Sequence, residues 1–222
     1  VHTYAMEPHA LTFRRPWDCA FVSSCLASQG STLVVGDAMH SLTVLTVAED
    51  GSLSESARDL HPYWTSAVCV LDEEQQRYLG TDVAMNLFVA ERAKGTEPES
   101  PWSHVMRHAA ACHVGDLVNA IHTLPGGRVM YATASGALGT LVHVPEPVAR
   151  VLLCVQDAMI EVVPAPGDIP WESWRTSRTD TRTEPPHHIL DADVLRFFVS
   201  DPSVRSPCLD KAGSLAQARD IP

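Results

Sequence analysis

The stretch RYLGTDVAMNLFVAE, residues 77–91, decides how the chain is read. An apolar run closes on Gly80, turn-forming residues follow, and a second apolar run opens at Leu87, which is the pattern of a β-hairpin. The pattern recurs as LVVGDAMHSLTVLTV, residues 33–47, and as VMYATASGALGTLVH, residues 129–143. Gly36, Gly80 and Ala132 take the same place in the three copies. Gly36 and Gly80 stand 44 positions apart and Gly80 and Ala132 stand 52 apart, the excess matching the polar insertion AKGTEPESPWS. Strands repeating every ~40 to 50 residues are the signature of propeller blades, each a four-stranded sheet.

Apolar stretches between the hairpins supply the other strands. CAFVSSCLA, TSAVCVLD and LVNAIHTL precede the three copies, and SLSESARDL and HVMRHAAACHV follow the first two. These runs carry β-branched and aromatic residues, with Gly and Pro between them, so local propensity agrees with the period. Three blades leave open edges, and closure takes ~4 to 8. The sequence therefore predicts a mainly β chain that forms the last three blades of a larger propeller. Val1, in place of Met, inside a strand-like VHTYAM suggests a cut from a longer polypeptide.

After His143 the pattern changes, and the division falls between residues 1–144 and residues 145–222. Val148, Leu152, Val155, Met159 and Val163 recur at spacings of three and four behind Pro145 and Pro147, which predicts an amphipathic helix. LDADVLRFFVSD predicts a short helix with Asp191 at its N-terminus, where a carboxylate suits the helix dipole. KAGSLAQARDIP is weakly apolar and is expected to pack loosely. WESWRTSRTDTRTEPPHHI reads as an extended segment.

Composition narrows the function classes. At 222 residues and 45% apolar content the chain can bury a core. No apolar run reaches the ~20 residues of a spanning helix, so no membrane role is expected. A net charge of -11 argues against direct nucleic-acid binding, which needs clustered cations; Arg175, Arg178 and Arg182 are interrupted by acids. The six cysteines are scattered and read as reduced thiols of the nucleus or cytosol. The eleven histidines form no H-E-x-x-H, and no G-x-S-x-G or phosphate-loop motif occurs, so neither a metal, a cofactor nor an enzyme is expected.

VVGDAMHSLTVL, ARDLHPYWTSAVCVLDEEQQRYLGTDVAMNLFV, HVGDLVNAIHTL, YATASGALGTLV, WESWRTSRTDTRTEP and ILDADVLRFF resemble, in order, successive motifs of one superfamily. Its branches are the large subunits of damaged-DNA-binding protein, of the cleavage and polyadenylation machinery and of a splicing factor. ARDLHPYW, NLFV and R-T-E-P, residues 182–185, are most similar to the first branch. The resemblance implies a non-enzymatic adaptor of three seven-bladed propellers and a C-terminal helical domain. This chain would be the end of the third propeller plus that domain.

In the family a cullin scaffold docks on a propeller that this chain lacks, and WD40-type substrate receptors enter a cleft to which the third propeller contributes. A nuclear and cytoplasmic ubiquitin-ligase adaptor linked to DNA repair is the function implied. A nuclear subunit of pre-mRNA cleavage or splicing, touching protein and nucleic acid, is the alternative. Carried over by motif, the receptor pocket falls on Ala38, His40, Trp64, Ser66, Ala67, Val83, Met85, Leu117, Asn119 and Ala134. His40 stands where the family has Arg, Ala38 and Ala134 are smaller than usual, and Met85 and Leu117 replace aromatics, which are the residue types that dominate binding energy. Arg58 and Asp59 are expected to fix the loop that presents Trp64.

Overall fold

The computed structural model describes residues 1–92, 104–163, 167, 169 and 186–218. The polar insertion and the segment with two tryptophans and three arginines, as far as residue 185, lie outside the described residues. The described chain forms two compact units, one of Val1–Val142 joined by His187, the other of the helices that follow His143.

The first unit is a set of antiparallel sheets. A hairpin of β1 (His2–Glu7) and β2 (Ala10–Pro16) comes first. Two four-stranded sheets follow in simple meander order: β3 (Ser23–Gln29), β4 (Thr32–Asp37), β5 (Leu42–Val47) and β6 (Leu53–Arg58), then β7 (Thr65–Asp72), β8 (Arg77–Asp82), β9 (Asn86–Arg92) and β10 (Met106–His113). A three-stranded sheet of β11 (Val118–Leu124), β12 (Arg128–Thr133) and β13 (Leu138–Val142) completes the series. The chain is thus mainly β, built of propeller blades and followed by a small helical part. The hairpin β1–β2 adds a sheet to the three blades read from the repeats. The third sheet has three strands because Pro145 and Pro147, lacking donors, lead the chain into a helix.

Inner strand β7 lies against β3 and β4 of the preceding sheet, and β11 lies against β7. The middle sheet is therefore covered on both faces. Val68, Val70, Tyr78, Phe88 and Ala90 pack toward the preceding sheet with Val34, Leu42, Val44 and Ala57. Cys69, Leu79 and Leu87, of opposite parity, pack toward the following sheet with Val129. Burial on both faces explains why these strands read as continuous apolar runs. Gly80 is required by this packing, since a Cβ there would run into the ring of Phe88.

Each inner strand carries a bulge at its start: the register shifts between Ser23 and Cys25, between Thr65 and Ala67, and between Val118 and Ala120. The bulged residues clasp neighbouring sheets. Ser24 Oγ donates to the Thr65 carbonyl at 2.5 Å, and Ser66 Oγ donates to the Val118 carbonyl at 2.8 Å.

In the helical unit, α1 (Glu146–Val162) starts at the expected prolines, but its seam is rotated. Val148 is exposed, and Cys154, Val155, Ala158 and Met159 are buried. Small side chains at 154 and 158 admit the Cys208 and Ala212 of α3 (Pro202–Ala218) into the same cluster. As far as residue 218, the last helix corrects the expectation of a loosely packed tail: Cys208 and Ala212 are buried one turn apart, and Val204, Leu215 and Ala216 pack against the same cluster. α2 (Ala192–Ser200) is capped by Asp191, whose carboxylate accepts from the Asp193 and Val194 amides.

Candidate functional site

Three turns lie at the same place in their sheets: residues 38–41 between β4 and β5, residues 83–85 between β8 and β9, and residues 134–137 between β12 and β13. In each, the first turn residue donates its N–H to the carbonyl of the residue that precedes the inner strand. Ala38 bonds Val22 at 3.1 Å, Val83 bonds Trp64 at 2.9 Å, and Ala134 bonds Leu117 at 2.8 Å. Further bonds tie the first two turns to the next sheet's entry loop, from Ser41 N–H to the Tyr63 carbonyl at 3.0 Å and from Val114 N–H to the Met85 carbonyl at 2.8 Å. Turns and entry loops thus form one braced row.

Side chains stiffen the same turns. Asp37 Oδ1 accepts from the amides of Met39 and His40, at 2.7 and 2.5 Å. Asp82 accepts from the amide and side chain of Asn86, at 2.8 and 2.9 Å, and His113 Nδ1 lies 3.0 Å from Asn86 Oδ1. Burial pushes the Asp82 carboxyl above its ordinary value in spite of those bonds. In the third turn Thr133 Oγ1 accepts from Ala137 N–H at 3.0 Å, and the Ser135 hydroxyl donates to Asp116. Hydrogen bonds from Ser135 and Thr133 hold that carboxyl below the usual range.

Ser41 and Met85, the last residues of the first two turns, have φ of 61° and 66°, and the third turn places Gly136 at 92°. Left-handed backbone costs a side-chain-bearing residue roughly 1 to 2 kcal/mol. The brace holds Ser41 and Met85 there.

The row presents apolar surface. Trp64 is 55% exposed and Val83 45%, with Met39, Leu60 and Val22 also exposed beside them. The segments of the row, residues 17–22, 38–41, 59–66, 83–85, 114–119 and 134–138, contain no lysine or arginine. His40 packs edge-on against Phe21, with ring centroids 4.4 Å apart, and its buried Nδ1 has no hydrogen-bond partner among the described residues.

Nine of the ten residues carried over by motif fall on this row and Ala67 follows it in β7, with different freedom to act. Trp64, Val83, Asn119 and Ala134 are exposed, and Ala38, His40, Met85 and Leu117 are half-buried. Ala67 is buried in β7, and the Ser66 hydroxyl is committed to Val118 and to Thr81 at 3.0 Å. Asn119 occupies the bulge position of β11 that Ser24 and Ser66 occupy in the preceding inner strands. Val22, Phe21, Met39 and Leu60 were not singled out by sequence. Aligning the inner strands rather than the hairpins finds Val22, because it holds the position of Trp64 and Leu117.

A braced row of loops on propeller blades defines a surface-presenting module of the propeller class. The chain belongs to the CPSF A subunit region family, which matches residues 3–200. It is similar to DNA damage-binding protein 1 of Drosophila melanogaster, 28% identical over 190 residues that cover 78% of this chain and 16% of the relative. It is similar to DNA damage-binding protein 1b of Arabidopsis thaliana, 28% identical over 187 residues, covering 78% and 17%. The same holds for DNA damage-binding protein 1 of Solanum lycopersicum, 28% identical over 202 residues, covering 85% and 18%. The chain spans about a sixth of the length of these curated relatives.

Proposed function

We propose that the braced row is a docking surface for an apolar helical segment of a protein partner, carried by a non-enzymatic adaptor. The observation behind this reading is the pairing of Trp64 and Val83, exposed side by side on rigid loops, with the absence of lysine and arginine from the row's segments. An exposed tryptophan on preorganised backbone is an anchor for an apolar partner at low entropic cost. A phosphate backbone would need Lys or Arg at the same place.

The similarity to DNA damage-binding proteins supports a finer reading. The chain is the end of a seven-bladed propeller in a nuclear adaptor of a cullin-RING ubiquitin ligase, with WD40-type substrate receptors as the partners. The test is affinity capture with the full-length polypeptide. Recovery of a cullin and of propeller-type receptors is expected; recovery of polyadenylation or splicing subunits in their place overturns the assignment.

A further inference from the structure

Asp59 and His61 belong to the row's own segment of residues 59–66, and with His108 they form a cluster at the base of its loop. Asp59 follows β6, His61 stands two residues on, and His108 belongs to β10, 49 positions from Asp59. The Asp59 side chain is fully buried and that of His108 is 4% exposed, while His61 is 40% exposed. His61 Nδ1 lies 2.6 Å from Asp59 Oδ1, and His108 Nε2 lies 2.8 Å from Asp59 Oδ2. The two imidazoles stack, with centroids 3.8 Å apart and planes at 24°, so their nitrogens approach the carboxylate side by side. Phe88 stacks on the far side of His108, with centroids 4.7 Å apart, and fixes that ring.

We propose that these three side chains form a binding site for a borderline divalent transition-metal cation, with Zn²⁺ as its chemical type. Their ligand atoms all lie within 4.8 Å of one another. Two imidazoles with one carboxylate are a zinc-type donor set, whereas Ca²⁺ and Mg²⁺ select oxygen donors. Zinc–ligand distances of about 2.0 to 2.2 Å place tetrahedral donors roughly 3.3 Å apart, so the contacts of 2.6 and 2.8 Å open by about 0.5 to 0.7 Å on binding, and the stacked rings splay until both lone pairs meet at one ion. The half-exposed His61 provides the entry path and leaves the fourth position to water.

Proton bookkeeping is simple. Without metal each ring donates an N–H to the carboxylate, which can only accept. On binding, the cation takes the place of those two protons; a neutral ring shifts its proton to the other nitrogen, and an imidazolium releases one proton to solvent. The cation would pin the loop of residues 59–64 to β10, and with it the base of Trp64. The docking proposal does not depend on this site.

The experiment titrates Zn²⁺ against a chromophoric chelator with the full-length protein at fixed neutral pH, comparing wild type with His61→Gln and His108→Gln. The wild type is expected to take up one more tight equivalent than either variant, with at least tenfold weaker residual binding in the variants. The Co²⁺ form is expected to lose one tetrahedral absorption component in each. Should His108→Gln fail to fold, the half-exposed His61→Gln decides the matter alone. Equal stoichiometry and affinity in wild type and His61→Gln overturn the proposal and leave the trio as a hydrogen-bonded clasp.

Discussion

The turn between β8 and β9 and the turn between β12 and β13 share one main-chain brace and differ in almost every side chain. The first is closed by the Asp82 carboxylate, strained at Met85, and set beside Trp64. The second is closed by the Thr133 hydroxyl, relaxed by Gly136, and set beside Leu117. Backbone geometry is therefore what the fold repeats, and side chains are what each blade spends on recognition. The glycines tell the same story: Gly80 faces the buried ring of Phe88, whereas Gly139 faces the half-buried Tyr131.

That contrast can be broken at several points. Gly80→Ala is expected to destabilise the middle sheet by about 3 kcal/mol, because Phe88 has no room to move. Gly139→Ala is expected to cost less, about 1 to 2 kcal/mol, since Tyr131 is only half-buried. Hydrogen exchange of the β8–β9 and β12–β13 amides in the full-length protein measures both; equal losses would deny the difference between the sheets. Ser66→Ala removes the clasp to Val118 and is expected to cost about 1 to 2 kcal/mol in β7 and β11, measured by the same exchange.

Met85→Gly acts in the opposite direction. Relief of the left-handed strain at 66° is expected to stabilise the β8–β9 turn by up to about 1 kcal/mol, read as slower exchange there. If partner capture weakens in this variant while the turn gains stability, the side chain is retained for recognition.

The smallest effect concerns Glu91. Burial alone would raise its carboxyl, but hydrogen bonds and charge from Arg107 and Arg77 outweigh it and hold the group below its ordinary value of 4.5. Its contribution is thus present above that value and is lost as pH falls through the lower folded value. Glu91→Gln is expected to remove this acid sensitivity from β9 and β10, by about 1 kcal/mol or less given the exposure of Arg107. Exchange rates at neutral pH and near pH 3.5 measure it.

Much of the β architecture is legible in the sequence because strand period and turn chemistry agree over three copies. TSAVCVLD coincides with β7 residue for residue, and LVNAIHTL misses the start of β11 by one. The inter-sheet clasps are not legible, since Ser24 and Ser66 look like ordinary strand serines until the bulges align them with the next sheet's carbonyls. Helix α3 is missed because Cys208 and Ala212, the buried centre of its seam, are small, and the larger Val204 and Leu215 stand alone at its two ends. The Asp59, His61 and His108 trio escapes motif reading because its residues come from the loop after β6 and from β10, 49 positions apart. Trp64 is placed on the row by its repeat position, while its exposure follows only from the fold of the loop around it.

The docking surface itself is tested most directly by measuring the affinity of the full-length protein for a captured partner before and after Trp64→Ala. An anchor residue of this kind contributes at least about 2 kcal/mol, so the substitution is expected to weaken binding by roughly 30-fold or more while melting stays within about 2 °C of wild type. Unchanged affinity, or loss of binding only through loss of the folded blade, would contradict the account.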